Sequence, residues 1–306
     1  MKNTTTALTL IAMIIFSPIL VASAETAITD KAPWAPPKDF VNPATLLVQE
    51  LKGKGFETEK ITAELEKRGM GWYPKTGATW MGRAVTSEEL EILSLHSEGM
   101  KNEAAMRDSL DRKVGCMRAT DYSWAGIGAE MISGSMSVSS DGTQYHYACV
   151  QLGDLDGASN YAEVVVTHNY GEDFKWYVYD SDEGGFNYYM DKNTGSSSVD
   201  TYVIMLDGSY DSDGYHYDVW INYGWVMSGH LSNCWLQAGY QKEVYSYGQY
   251  DDDYVSSIFY RNWLNANPGW IYWTNSISSR FSANYPVQES HTWGGLCYNW
   301  NTWVNN

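Results

Sequence analysis

Residues 232–248, "SNCWLQAGYQKEVYSYG", carry the pattern that decides the fold. Counting every second residue from Trp235 gives Trp235, Gln237, Gly239, Gln241 and Glu243. The alternate row is Cys234, Leu236, Ala238, Tyr240 and Val244, interrupted by Lys242. A strand sends alternate side chains to opposite faces. The stretch therefore predicts a strand over 233–246. One of its faces is apolar enough for a core, and the other gathers an aromatic ring, two amides and a carboxylate. The same period-two grammar, rich in Tyr, Trp, Val and Ile, runs from Asp121 onward. Candidate strands fall at 123–138, 144–152, 161–168, 174–180, 185–190, 200–206, 214–222, 255–262 and 269–275, with turns such as "SSDGT", "KNTGSSS" and "YDSDG" between them. About ten strands at this spacing predict an all-β domain, an antiparallel two-sheet β-sandwich of jelly-roll type, over 116–306.

The chain before that domain reads differently. It opens with Lys2, an apolar run from Ala7 to Val21 and the small residues Ala22-Ser23-Ala24, the pattern of a signal peptide over 1–24. Residues 25–115 read as helix and loop. "VNPATLLVQELKGKG" and "ETEKITAELEKRGMG" carry apolar residues at helical spacing, and "TSEELEILSLHSEGM" opens on a capping box, Thr86 with Glu89. A small helical region between a leader and a β domain, ending in the polar "RDSLDRKVGCMR", suggests a removable pro-segment. No later stretch approaches the roughly 18 apolar residues of a membrane span. The expectation is a secreted, monomeric protein with no membrane partner.

Charge divides the chain at the same place. Up to Lys113 there are fourteen Lys and Arg against fifteen Asp and Glu; beyond it there are six against twenty-two. So acidic a domain argues against nucleic acid and anionic membranes as partners, and suits work at acid pH. Cys116, Cys149, Cys234 and Cys297 show neither zinc-knuckle nor redox-pair spacing. In an oxidising compartment an even number predicts disulfides, with three possible pairings.

Familiar catalytic motifs are missing: there is no H-E-x-x-H, no G-x-S-x-G and no P-loop, and no two histidines stand at metal-ligand spacing within one strand. The carboxylates say more. Beyond residue 115 there are sixteen Asp, mostly in turns, but only six Glu. Glu163 and Glu243 fall inside strands, where Glu is depleted. Glu163 shares a face with Tyr161, Val165 and Thr167, and Glu243 with Gln237 and Gln241. Two close carboxyls, or a carboxyl with an amide, can activate water and stabilise an oxyanion.

Several stretches add a resemblance. "YSWAGIGAEMISGSMSV", "YAEVVVTHNY…FKWYVYDSDEGGF" and "WLQAGYQKEVYSYG" resemble segments of the glutamic peptidases, both the fungal eqolisins and the plant neprosins. Ser123-Trp124-Ala125-Gly126 matches three positions of an Asn-Trp-Ala-Gly opening. "HTWGGLCYN" is similar to a Trp-Gly-Gly-Glu segment, with Leu296 in place of the Glu. The resemblance implies a concanavalin-like sandwich with its site on a concave face. It also implies a secreted precursor whose pro-segment acts as an intramolecular inhibitor, and a protein or peptide as substrate. It places Glu163 as the first-strand catalytic group and Glu243 as the second carboxylate. Gln237 is the amide alternative if "WLQAG" matches the earlier strand instead. Trp235, Gln241, Tyr161 and Trp176 are then candidates for substrate contact.

A rival reading uses the same residues. Aromatic clusters such as "NPGWIYWTN" and "YNWNTWVNN" suit sugar rings, and Glu163 with Glu243 could flank a glycosidic bond, so a carbohydrate-binding or carbohydrate-cleaving jelly roll is the alternative. Paired aspartates in loops, Asp154 with Asp156 and Asp180 with Asp182, could supply oxygen ligands to calcium, but none extends to a full calcium loop. No other cofactor is expected.

Overall fold

The computed structural model describes residues 40–87, 110–157, 159–182, 185–266 and 269–306, and in addition residues 37, 89, 90 and 93. The leader expected over 1–24 lies outside the described residues. Among them, no helix is long and apolar enough to cross a membrane.

Two helices form where helical spacing predicts them, α1 (Pro43–Gly53) and α2 (Thr58–Glu66). Asn42 caps α1, its Oδ1 accepting from Ala44 N at 2.9 Å and Thr45 N at 3.1 Å, and Pro43 occupies the first turn, where a missing N–H costs nothing. The Thr86–Glu89 capping box forms in both directions: Thr86 N donates to Glu89 Oε2 at 2.9 Å, and Glu89 N to Thr86 Oγ1 at 3.3 Å.

The strands are β1 (Met70–Trp72), β2 (Thr79–Met81), β3 (Asp111–Ala119), β4 (Gly126–Ile132), β5 (Thr143–Asp154) and β6 (Ser159–Asn169). They continue with β7 (Lys175–Asp180), β8 (Gly185–Asp191), β9 (Val199–Asp211), β10 (Gly214–Ile221), β11 (Gly224–Leu231) and β12 (Gln237–Ser246). The last are β13 (Ser257–Asn265), β14 (Trp270–Tyr272), β15 (Ser279–Ala283), β16 (Val287–Trp293) and β17 (Tyr298–Val304). They form two antiparallel sheets. The larger runs β1-β2-β11-β10-β9-β4-β13-β17-β16 with β14 beside β13; the smaller runs β15-β3-β12-β5-β6-β7-β8.

The sheets enclose one apolar core. The smaller sheet contributes Met117, Ala148, Val150, Leu152, Val164, Val166, Trp176, Val178 and Tyr240, and the larger sheet Ile127, Met131, Ile204, Tyr217, Phe259 and Trp300. The apolar row of β12 lies on this side. Lys242, its interruption, is fully buried, and its Nζ donates to Asp253 Oδ2 and, at 3.2 Å, to Ser257 Oγ. A buried ammonium survives because it is paired and hydrogen-bonded.

Three expectations change. The boundary near residue 115 falls inside β3, whose Asp111–Arg118 stretch pairs along β12. Residues before it are built into the sandwich: β2 pairs β11, and α1 and α2 set Leu47, Val48, Leu51, Ile61 and Leu65 against Val203, Trp220, Trp225 and Trp263 of the larger sheet. Pro33–Asn306 accordingly form one compact unit. Strands β1, β2, β3, β11, β15, β16 and β17 go unread in the sequence: β1 and β2 are three residues each, and β3, β15 and β16 carry charged residues.

The expected disulfides are also missing: all four cysteines are free thiols. Cys116 and Cys149 both stand opposite Gln241, on the two strands that flank β12. Two strand steps put their Cα atoms roughly 10 Å apart, beyond the roughly 7 Å that a disulfide tolerates. Cys116 Sγ instead lies 3.1 Å from Ser282 Oγ, and Cys149 Sγ donates to Gln241 O at 3.6 Å.

Candidate active site

Residues paired across a sheet share a face. On the side of the smaller sheet away from the core, the register lines up three rows. One is Arg118, Gly239, Gln151, Glu163 and Tyr179; the next is Cys116, Gln241, Cys149, Val165 and Tyr177; the third is Val114, Glu243, Tyr147, Thr167 and Lys175. Gln237 and Tyr161 stand one row further on, either side of Gly153. The polar row read from β12 is therefore real, and β5 and β6 extend it into a polar floor.

This floor is covered. Val85, Leu93 and Leu110, from the segment before β3, join Tyr147, Cys149, Leu155, Tyr161, Val165, Tyr177, Tyr179 and Tyr245 in a second apolar cluster. Gly239 helps: a Cβ there would stand 3.0 Å from Leu155 Cδ1 and 3.1 Å from Arg118 Cγ, so the absence of a side chain lets the Leu155 turn pack closely over β12. Gln151, Glu163 and Glu243 have no exposed surface.

The two strand glutamates have different surroundings. Gln151 Nε2 donates to Glu163 Oε1 at 2.5 Å, an amide–carboxylate pair across neighbouring strands. The far side of each amide is unfinished: among the described residues, Gln151 Oε1, Gln237 Oε1 and Thr167 Oγ1 are buried with no hydrogen-bond partner in the protein. Glu243 is tied down. Arg112 grips it with Nη2 to Oε1 at 2.6 Å and Nε to Oε2 at 3.2 Å, Tyr245 OH donates to Oε2 at 2.6 Å, and Gln241 Nε2 donates to Oε1. Burial works against the Arg112 charge, but Glu243 and Tyr245 together outweigh it and hold the guanidinium pKa above its ordinary value. Gln241 Oε1 in turn accepts from Arg118 Nη2 at 2.9 Å.

Glu163 and Glu243 do not meet. They stand two strands and four residues apart, roughly 16 Å between Cα atoms at ordinary strand spacings. The amide that meets Glu163 is Gln151, which the sequence reading missed. Its signal was the β5–β6 hairpin: Gln151 and Glu163 are reflections of one another about the turn at 154–159.

The other candidates are scattered. Gln237 lies on the polar face and donates from Nε2 to Asp156 Oδ2 at 3.1 Å. Tyr161 is on the same face, stacked on Tyr179 at 5.2 Å, and burial followed by the nearby Glu163 charge raises its pKa. Trp176 is a correction: it points into the core, where its Nε1 donates to Tyr202 OH at 3.0 Å, because its position on β7 is one residue out of phase with the polar rows. Trp235 precedes β12 and is exposed, outside the floor. Trp273 and Trp300, from the clusters suited to sugar rings, are buried in the core. The acidic loops satisfy themselves. Asp156 accepts from Arg280, Gln237 and Tyr122, Asp180 from Tyr217 OH and Asp182 N, Asp182 from Ser232 N, and Asp154 from Gly157 N. An open cleft of about 490 Å³ lined by Glu172, Lys175, Lys192, Thr194 and Ser196 takes in neither Glu163 nor Glu243.

No family model matches the chain, and no curated protein does. Solved structures similar to it include a Scytalido-glutamic peptidase with a peptide-based transition state analog, at TM-score 0.49 and 9% identity over 64% of this chain and 100% of that one. SCP-B, a member of the eqolisin family of peptidases in complex with the tripeptide Ala-Ile-His, gives TM-score 0.44 and 10% identity over 64% and 100%. The carbohydrate-binding module CBM66 from Bacillus subtilis gives 0.25 and 8% over 58% and 82%. The first two are of the class that the sequence motifs resemble.

Proposed function

We propose that the chain is the precursor of a secreted, acid-acting endopeptidase in which Glu163 and Gln151 form the reacting pair and the segment before β3 masks them. One observation carries this reading. The carboxylate–amide pair is buried on a sheet face where Gln151 Oε1, Gln237 Oε1 and Thr167 Oγ1 lack partners in the protein, under a cover to which, among the described residues, Val85, Leu93 and Leu110 contribute. Buried polar groups are ordinarily satisfied, and a face that keeps several unsatisfied suits a polar guest such as an extended peptide backbone.

With the cover displaced, Glu163 takes a proton from water as the water oxygen attacks the scissile carbonyl carbon. The Gln151 amide N–H then faces the oxygen on which charge develops. Collapse of the tetrahedral intermediate breaks the C–N bond, and protonated Glu163 returns the proton to the leaving amine. Glu243, saturated by Arg112, Gln241 and Tyr245, holds the floor in shape rather than reacting.

The test is hydrolysis of denatured casein between pH 3 and 5 by the wild-type chain, Glu163→Gln and Gln151→Leu. The expected result is loss of activity in Glu163→Gln and a drop of roughly a hundredfold or more in Gln151→Leu, the scale for removing an oxyanion donor. Full activity in Glu163→Gln would overturn the assignment. Cleavage of oligosaccharides in place of casein would put the carbohydrate reading in its place.

A further inference from the structure

Far from that face, β10 and β11 bring together the only group of three possible metal ligands among the described residues: Asp211, His216 and His230. His216 and His230 stand directly opposite one another in the β10–β11 ladder. Their placement depends on a bulge. Next to the turn, Trp220 pairs with Trp225, but Val219 pairs with Met227, so Val226 is an extra residue on β11. Without it His216 would face Gly229, and the His230 side chain would point through the sheet. The hairpin turn that starts this register, Asn222-Tyr223, has both residues at positive φ, the geometry of a type I′ turn.

Tyr217, the neighbour of His216, points into the core and donates to Asp180. The two histidines therefore lie on the outer face of the larger sheet. β9 delivers the third group: three residues, Asp207, Gly208 and Ser209, loop out opposite His216, and Asp211 follows at the end of the strand. His216 Nε2 lies 2.8 Å from Asp211 Oδ2, and His230 Nε2 lies 3.8 Å from the same oxygen. The three ligand atoms fall within 4.8 Å of one another. Tetrahedral coordination at about 2.0–2.1 Å per bond needs ligand atoms about 3.4 Å apart, which these side chains reach by small rotations. Asp211 is oriented from behind, its Oδ1 accepting from Asp213 N at 2.8 Å. That is the kind of second contact that aims a ligating carboxylate. Asp211 is half exposed and His216 a third exposed, so the open side of the site faces solvent.

We propose that Asp211, His216 and His230 bind one divalent first-row transition ion through two imidazole Nε2 atoms and one carboxylate oxygen, with solvent completing the coordination. Imidazole ligands select this class over calcium and magnesium, which take oxygen donors. The site is independent of the reading of Glu163.

Zinc is the probe. The full-length chain, titrated with ZnCl₂ at pH 7 by calorimetry, is expected to bind one ion per chain in the micromolar range. His216→Ala, His230→Ala and Asp211→Asn should each weaken binding at least tenfold. Affinity should fall steeply towards pH 5 as the imidazoles protonate, and millimolar Mg²⁺ should not compete. Circular dichroism melts establish that each variant is folded; should His230→Ala fail to fold, the exposed His216→Gln decides. No one-to-one binding at 100 μM zinc, or binding that survives substitution of a histidine in a folded chain, would overturn the proposal.

Discussion

The cover over the Glu163 face is the part of the account most open to a quantitative test. Leu93 is 1% exposed and packs in the cluster that seals the polar floor. Truncating such a leucine to alanine costs roughly 2–5 kcal/mol, the lower end where neighbours can collapse into the gap. If the cover opens as a local unit, Leu93→Ala acts on its opening rather than on global unfolding. Taking about 3 kcal/mol, at roughly 1.4 kcal/mol per decade, the open population rises on the order of a hundredfold. The assay is limited proteolysis of the full chain at pH 7 under conditions where cleavage is slow, read by mass for cuts between residues 83 and 110, beside a thermal melt of the remaining sandwich. The expected outcome is faster cutting on that hundredfold scale with the melt of the sandwich little changed. A melting temperature that falls in step with the cutting rate would refute the reasoning, because the segment would then be core rather than cover.

Three further outcomes follow from the buried charges. Glu243→Gln leaves Arg112 charged and nearly buried without its carboxylate, so it should destabilise the fold by about 3–5 kcal/mol in chemical denaturation while the folded fraction keeps its hydrolytic activity; loss of activity without loss of stability would return Glu243 to the catalytic pair. Lys242→Met strands Asp253 in the core and should cost a similar roughly 3–5 kcal/mol, most of which Asp253→Leu in the same chain should restore; a double variant as unstable as the single one contradicts this account of the pair. Burial pulls the pKa of His146 down to about 4 and pushes that of Asp218 up to about 6. Unfolded His binds its proton near pH 6.5 and unfolded Asp near 3.9. His146 therefore contributes stability above pH 6.5 that is lost as pH falls towards 4, whereas Asp218 costs stability above pH 6 that is regained as pH falls towards 4, each by up to roughly 3 kcal/mol. His146→Gln and Asp218→Asn should change the pH dependence of the melting temperature in opposite directions over pH 4–6.5, and parallel changes would refute the assignment.

How far the sequence carried depended on whether a residue's partner is close in the chain. The two rows of β12 were legible because alternation is local, and the Thr86–Glu89 box likewise sits within one turn. Arg112 was read as part of a cleavable linker, since nothing nearby reveals a carboxylate 131 residues away. Cys116 and Cys149 looked available for bridging because sequence does not show that β12 lies between them. Two pairs were accessible in principle: Gln151 with Glu163 and His216 with His230 are each mirrored about a short turn. The first needed only a registered hairpin. The second also needed the bulge at Val226, which alternation alone does not announce. Trp176 failed for a related reason: β7 is buried on both faces, so its residue types do not reveal which side faces the core.

The most direct test of the masked Glu163 site is to incubate the purified full chain from pH 3 to 7 and follow its mass beside Glu163→Gln. The account expects, at acid pH only, release of an N-terminal fragment ending before β3, and an intact chain in the variant. A chain intact at every pH, or release that proceeds equally in Glu163→Gln, would contradict it.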